Sequence, residues 1–230
     1  MTAYLNPDDD RFYEEGVKLR IKWNKMLRNL DPNFLNNRDL MNETFLNLFF
    51  RYSSFERHYH NPVHILECLT EFKDLESLSN HPEEIKLALF FHDSIYDTPA
   101  KDNEEKSAEF MREVMGRVIN KNSLDISARV IFATKHNYLV TDTDERLGVS
   151  IDLSILGKSW SRYQDYMAGI RKEYFLVEKK DYCLGRAKVL EGFLAREKIY
   201  PHSFFEEKYE RTGRENLARE IDMLTKYRLS

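Results

Sequence analysis

The chain has 230 residues, 42% hydrophobic and 32% charged, with a net charge of -4. That length can bury one full core, and the mildly negative balance gives no electrostatic case for nucleic acid or an anionic membrane as a partner. With only 8 Gly and 6 Pro, a turn-rich β fold and long flexible linkers are both disfavoured.

The hydrophobic period is helical almost throughout. From 10 to 29, Phe12, Leu19, Trp23, Met26 and Leu27 recur at three- and four-residue steps, and Leu30 follows. A second helix is expected over 38 to 52, on Leu40, Phe45, Leu48, Phe49 and Tyr52. Asn61-Pro62 reads as a cap followed by proline at the first helical position, opening a helix through Val63, Leu66, Leu69 and Phe72. His81-Pro82-Glu83-Glu84 repeats that grammar, with acids in the first turn, and its helix should end near Asp97-Thr98-Pro99. Asp102-Asn103-Glu104-Glu105 opens another, to about residue 119, and Ser123 caps one from 124 to 135.

The pattern turns irregular between Asn137 and Gly157, where 149 to 156 reads as a short helix or an extended piece. Helical stretches return at 160 to 177, 181 to 196 and 216 to 227. No repeat or linker interrupts them. The expectation is a single all-α domain over 1 to 230, of about nine helices, with the 10 to 30 helix packed on the rest. Cys68 and Cys183 both fall in apolar helical patterns, as small core residues of a reducing compartment do. Residues 1 to 10 have no basic and apolar leader regions, and no stretch reaches the ~18 apolar residues of a membrane span. A cytoplasmic protein is expected.

Four residues stand out chemically: His64, the pair His92-Asp93, and Asp152. They offer two imidazoles and two carboxylates, a donor set that suits a borderline divalent ion. Asp93 follows the apolar run Leu87-Ala88-Leu89-Phe90-Phe91, where a carboxylate costs several kcal/mol unless a cation or donors meet it. Adjacent helical side chains diverge by ~100°, so His92 and Asp93 can share an ion only in a cleft at the helix edge. Asp152, between Ile151 and Leu153, is either an exposed alternation position or a ligand.

Pro62 separates the jobs of two histidines. If α-helix begins there, His64 lies in the first turn as a ligand, and His60 stays in the loop as a proton donor or substrate contact. Asp97, four residues beyond Asp93, either shares its helical face and orients a water or ends the helix. His136 is a candidate for a second ion or for phosphate. Lys135, Arg171 and Arg186 are candidates to neutralise phosphate charge, the arginines by bidentate pairing.

The order His64, His92-Asp93, Asp152 resembles the HD-domain superfamily of metal-dependent phosphohydrolases. Tyr59-His60-Asn61-Pro62-Val63-His64, Phe91-His92-Asp93-Ser94-Ile95-Tyr96-Asp97 and Asp102-Asn103-Glu104-Glu105-Lys106-Ser107-Ala108 look like a bacterial group of that superfamily without an assigned substrate. The resemblance runs from about 40 to 220 and takes in Ile170-Arg171-Lys172-Glu173-Tyr174 and Gly185-Arg186-Ala187-Lys188-Val189-Leu190. Cyclic-nucleotide phosphodiesterases carry a similar Tyr-His-Asn segment, whose first histidine donates a proton and whose second binds metal; these fall on His60 and His64. Alarmone hydrolases follow the HD pair with two acids, whereas here Tyr96 precedes the single acid Asp97. Binuclear and oxygenase-type relatives add two histidines before the last Asp, and here His136 stands alone between them. The resemblance thus implies one divalent ion (Mn, Fe, Co, Ni, Mg or Zn) and hydrolysis of a small phosphorylated substrate, a nucleotide among the candidates. A metal-binding regulatory module without turnover and an iron-dependent oxygenase of the same fold are the rival readings.

Overall fold

The computed structural model describes residues 11 to 229, with side chains as far as Lys226. The start of the first helix near residue 10 and the polar segment before it lie outside the described residues. Among those described the chain is all-helical, with ten α-helices, two 3-10 helices and no strand. None of the helices is long and apolar enough to cross a membrane. The chain divides between Gly148 and Val149 into two compact units.

The first unit holds α1 (Tyr13–Leu30), α2 (Arg38–Tyr52), α3 (Pro62–Lys73), a 3-10 turn (Glu76–Leu78), α4 (Pro82–Phe91), α5 (Asn103–Met115) and α6 (Lys121–Ala133). Its axis is α4. Every residue from Ile85 to Phe91 is buried, as an all-round apolar helix must be, and α1, α3, α5 and α6 pack around it. Trp23 of α1 meets Phe90 edge-on at 5.1 Å between ring centres and lies 6.0 Å from Phe45 and 6.1 Å from Phe91. Its indole N–H donates to the Met41 carbonyl at 3.2 Å, which satisfies the one polar atom of that buried ring. Lys86, the single cation within α4's run, places its amine between Glu76 at 2.7 Å and Glu83 at 3.0 Å.

Local chemistry sets both ends of α4. His81 is its N-cap residue but makes no side-chain cap bond. The buried Asp144 carboxylate instead accepts from the Asn80 amide at 2.8 Å and lies 2.8 Å from His81 Nδ1. At the other end the helix stops at Phe91 rather than near Asp97, so His92 is its C-cap and Asp93 lies in the following turn. Side chains from α5 and α2 take the backbone bonds that a longer helix would have used. Ser107 Oγ accepts from the Ile95 amide at 3.0 Å, and Tyr52 Oη accepts from the Asp93 amide at 3.1 Å.

α6 starts earlier than expected for a similar reason. Asn120 caps it, its side chain accepting from the Ser123 amide, and Ser123 Oγ is left to donate to Glu84 at 2.7 Å. From Thr143 the irregular stretch is helical, as α7 (Thr143–Asp152) followed by a 3-10 turn (Leu153–Gly157), while 137 to 142 is not.

In the second unit α8 (Trp160–Glu173) ends four residues before expectation, α9 spans Lys179–Leu194, and α10 (Ser203–Leu229) begins well ahead of the expected 216. α10 packs on α9 and on the 3-10 turn. Asn216 Nδ2 donates to the carbonyls of Leu156 and Lys158, both at 2.9 Å. Gly157 sits so close to α10 that an added Cβ would lie 2.4 Å from Tyr209 Cβ and 2.7 Å from its Cγ. These atoms are too near the backbone to swing aside. Gly157→Ala should therefore destabilise the chain by about 1–3 kcal/mol, the usual range for overpacking. A wild-type denaturation midpoint in that variant would show that α10 can shift away.

Candidate metal centre

The centre is built from two segments of the first unit. Asn61 is extended (φ -126°, ψ -179°), and its side-chain oxygen accepts from the Val63 amide at 2.9 Å while its amide donates to the His58 carbonyl at 3.0 Å. Pro62 begins α3 as expected, so His64 falls in the first helical turn, with its side chain 2% exposed. The second segment is the end of α4. His92 Nδ1 lies 3.1 Å from the Leu89 carbonyl one turn back, which assigns the N–H to Nδ1 and the lone pair to Nε2.

Three potential ligand atoms meet here. His64 Nε2 and His92 Nε2 are 3.0 Å apart. Asp93 Oδ2 is 3.0 Å from His92 Nε2 and 3.6 Å from His64 Nε2. Donors that share one first-row ion at ~2.0–2.2 Å stand roughly 2.8–3.6 Å from one another in octahedral or tetrahedral geometry. The triangle has those edges. Its donor chemistry fits as well, because two imidazole lone pairs and a carboxylate aimed at one point repel unless a cation joins them. A proton can bridge one edge, whereas a divalent ion meets all three corners. His64 and His92 both belong to a group of residues that could hold a metal ion.

The expected ~100° divergence of neighbouring helical side chains does not arise. Because α4 ends at Phe91, Asp93 has left the helix and its carboxylate turns back towards His92. The same early ending removes the helical-face argument for Asp97. That residue is exposed in the loop, where its amide and carbonyl are both bonded to the Asn103 side chain.

His60 lies in the loop before α3, half-buried, its ring 4.1 Å from that of Tyr96 and 5.9 Å from that of His64. Tyr52 is fully buried beneath the turn, and burial together with the Asp93 carboxylate holds its phenol well above the ordinary tyrosine range. On α5, burial raises the Glu104 carboxyl above its usual range, and the charge of Asp93 adds to that. Lys135 Nζ is bonded to Glu105 and stands 3.9 Å from Glu104, so its charge is shared with acids of α5. His136 follows α6 in the left-handed region, at φ 57°.

The remaining candidates belong to the second unit. Asp152 closes α7, half-buried. Arg171 holds the turn after α8, donating to the carbonyls of Tyr174 at 2.7 Å and Val177 at 3.1 Å. Arg186, 10% exposed, is paired in a fork with the buried Glu220 at 2.8 and 3.2 Å, and Glu220 also accepts from the Tyr163 hydroxyl. Burial drives that phenol far up and also raises Tyr166, with Glu220 raising both and Asp152 raising Tyr166. Both arginines therefore have protein partners that a phosphate would have to displace.

Tyr52 and Arg57 have no functional signal in the sequence. Nothing in their spacing marks them, because each acts through a backbone atom of a distant segment. Glu104 had a signal, the Asp102-Asn103-Glu104-Glu105 cluster, read only as a helix opening. No family model matches the chain, and no curated protein or solved structure matches it.

Proposed function

We propose that the chain is a metal-dependent phosphohydrolase of the HD kind, acting on a small phosphate ester. The observation that carries this reading is the convergence of His64 Nε2, His92 Nε2 and Asp93 Oδ2 with edges of 3.0, 3.0 and 3.6 Å. These three would hold one divalent ion, and Asp152 of the second unit is proposed as the fourth ligand on its sequence setting and the resemblance. When bound, such an ion supplies a water activated near neutral pH and a Lewis acid for a phosphoryl oxygen. His60, in the loop beside His64, protonates the ester oxygen that leaves. Tyr96, whose ring lies against His60, limits where that imidazole can point.

The test is dialysis against a strong chelator, followed by a phosphate-release screen over nucleotides and sugar phosphates with Mn, Fe, Co, Ni, Mg or Zn added singly. Activity should vanish on chelation and return with at least one ion. Full activity after exhaustive chelation overturns the mechanism. Metal uptake without turnover on any ester would favour a binding module instead.

A further inference from the structure

Arg57 is buried, 6% exposed, yet its position in the sequence carries no motif of its own. Its guanidinium lies at the junction of the two segments that make the candidate metal centre. Nη1 donates to the His60 carbonyl at 3.1 Å and to the Asp93 carbonyl at 2.6 Å, and Nη2 to the Ser94 carbonyl at 3.4 Å. The planar head lies 5.1 Å from the ring centre of Tyr52 and 5.3 Å from that of Tyr96. The same Tyr52 accepts from the Asp93 amide, so the two sides of the Asp93 peptide backbone are held by Tyr52 and Arg57.

We propose that Arg57 is a positioning residue for the metal centre, fixing the spacing between the loop that carries His60 and His64 and the turn that carries Asp93. His64 belongs to α3 and Asp93 to the turn after α4, and the 3.6 Å edge of the ligand triangle depends on how those segments meet. Nη1 bridges one carbonyl from each. A buried guanidinium has five N–H donors in a rigid fork and cannot lose its proton, so it sets the distance between two backbone segments as a flexible ammonium does not. The positive charge also lies beside the backbone of the residue that supplies the carboxylate. Residues that orient ligands without touching the ion typically cost 10–100-fold in metal affinity when removed.

The inference rests on the metal reading, and cobalt(II) binding separates the two. Titration of the wild-type chain should give a saturable visible spectrum with one ion per chain; a wild-type chain that takes up no cobalt overturns the metal reading itself. Arg57→Met should then weaken cobalt binding roughly 10–100-fold and alter the spectrum. Arg57→Lys keeps the charge but not the fork, and should regain part of that loss while staying at least about threefold weaker than wild type. Arg214→Met is the control. Arg214 also spans carbonyls, those of Leu194, Arg196 and Glu197 in the second unit, so its loss removes similar bonds far from this centre in the sequence. It should bind cobalt as the wild type does. Equal cobalt affinity in Arg57→Met and wild type overturns the proposal, as does an equal loss in Arg214→Met. Should Arg57→Met fail to fold, wild-type affinity and spectrum in Arg57→Lys overturn it instead.

Discussion

Asp93→Ala is expected to abolish tight metal binding and turnover while leaving the helical content unchanged. The reason is a division of labour within one residue. The backbone of Asp93 helps hold the fold, its amide donating to Tyr52 Oη and its carbonyl accepting from Arg57. Its Oδ2, at 3.0 and 3.6 Å from the two imidazoles, belongs to the ligand triangle. Alanine preserves the backbone bonds and removes the carboxylate. What is left, two imidazole nitrogens 3.0 Å apart, has lost the negative charge that a divalent ion requires most. The loss in affinity should therefore exceed the roughly 10–100-fold that supporting residues cost. His64→Ala should behave alike, since the core is made by Trp23, Phe45, Phe90 and Phe91 and not by this histidine. Elemental analysis of the purified variants, with far-ultraviolet circular dichroism as the fold control, decides the matter. Wild-type metal content in either variant would remove that residue from the centre.

Why some of this was legible in the sequence and some was not follows from the range of each interaction. The Asn61-Pro62 start of α3 is a local event: a side-chain cap and a fixed φ within three residues, visible without any tertiary knowledge. The apolar run before His92 likewise announces a buried helix, because no surface helix can afford seven consecutive buried positions. The end of that helix was not legible. Periodicity carries on past Phe91 to Tyr96, and what breaks it is Tyr52 from α2 and Ser107 from α5 taking backbone bonds. At α6 the expected cap, Ser123, lies inside the helix: Asn120 caps it instead, and Ser123 Oγ donates to Glu84 on α4. At the centre the residue types were readable and the geometry was not. The His92 and Asp93 side chains converge because of an irregular turn, and Arg57 acts on carbonyls, which carry no sequence signature. Arg186 and Arg171 look in the sequence like any other helix-face cation, and only the partners Glu220, Tyr174 and Val177 show how each is used.

His60→Ala is expected to keep one metal ion per chain and to lower kcat by roughly 10²–10⁴, the usual contribution of a general acid. The geometry separates His60 from the ligands. Asn61 is extended and ends the loop, so His60 precedes the helix whose first turn carries His64. Its ring is packed at 4.1 Å against Tyr96, and its carbonyl is held by Arg57 at 3.1 Å. An imidazole so restrained can present a proton from a fixed place at the edge of the centre. Phosphate esters with poor leaving groups need that proton, because an alkoxide expelled unprotonated is a strong base. A nitrophenolate leaves with little help. The kcat defect of His60→Ala should therefore be large for a sugar or nucleoside ester and small for nitrophenyl phosphate, with metal content unchanged in both assays. Metal loss in the variant would instead make His60 a ligand. An equal defect on good and poor leaving groups would assign it to binding the substrate, since holding a phosphate in place does not depend on the basicity of the departing oxygen.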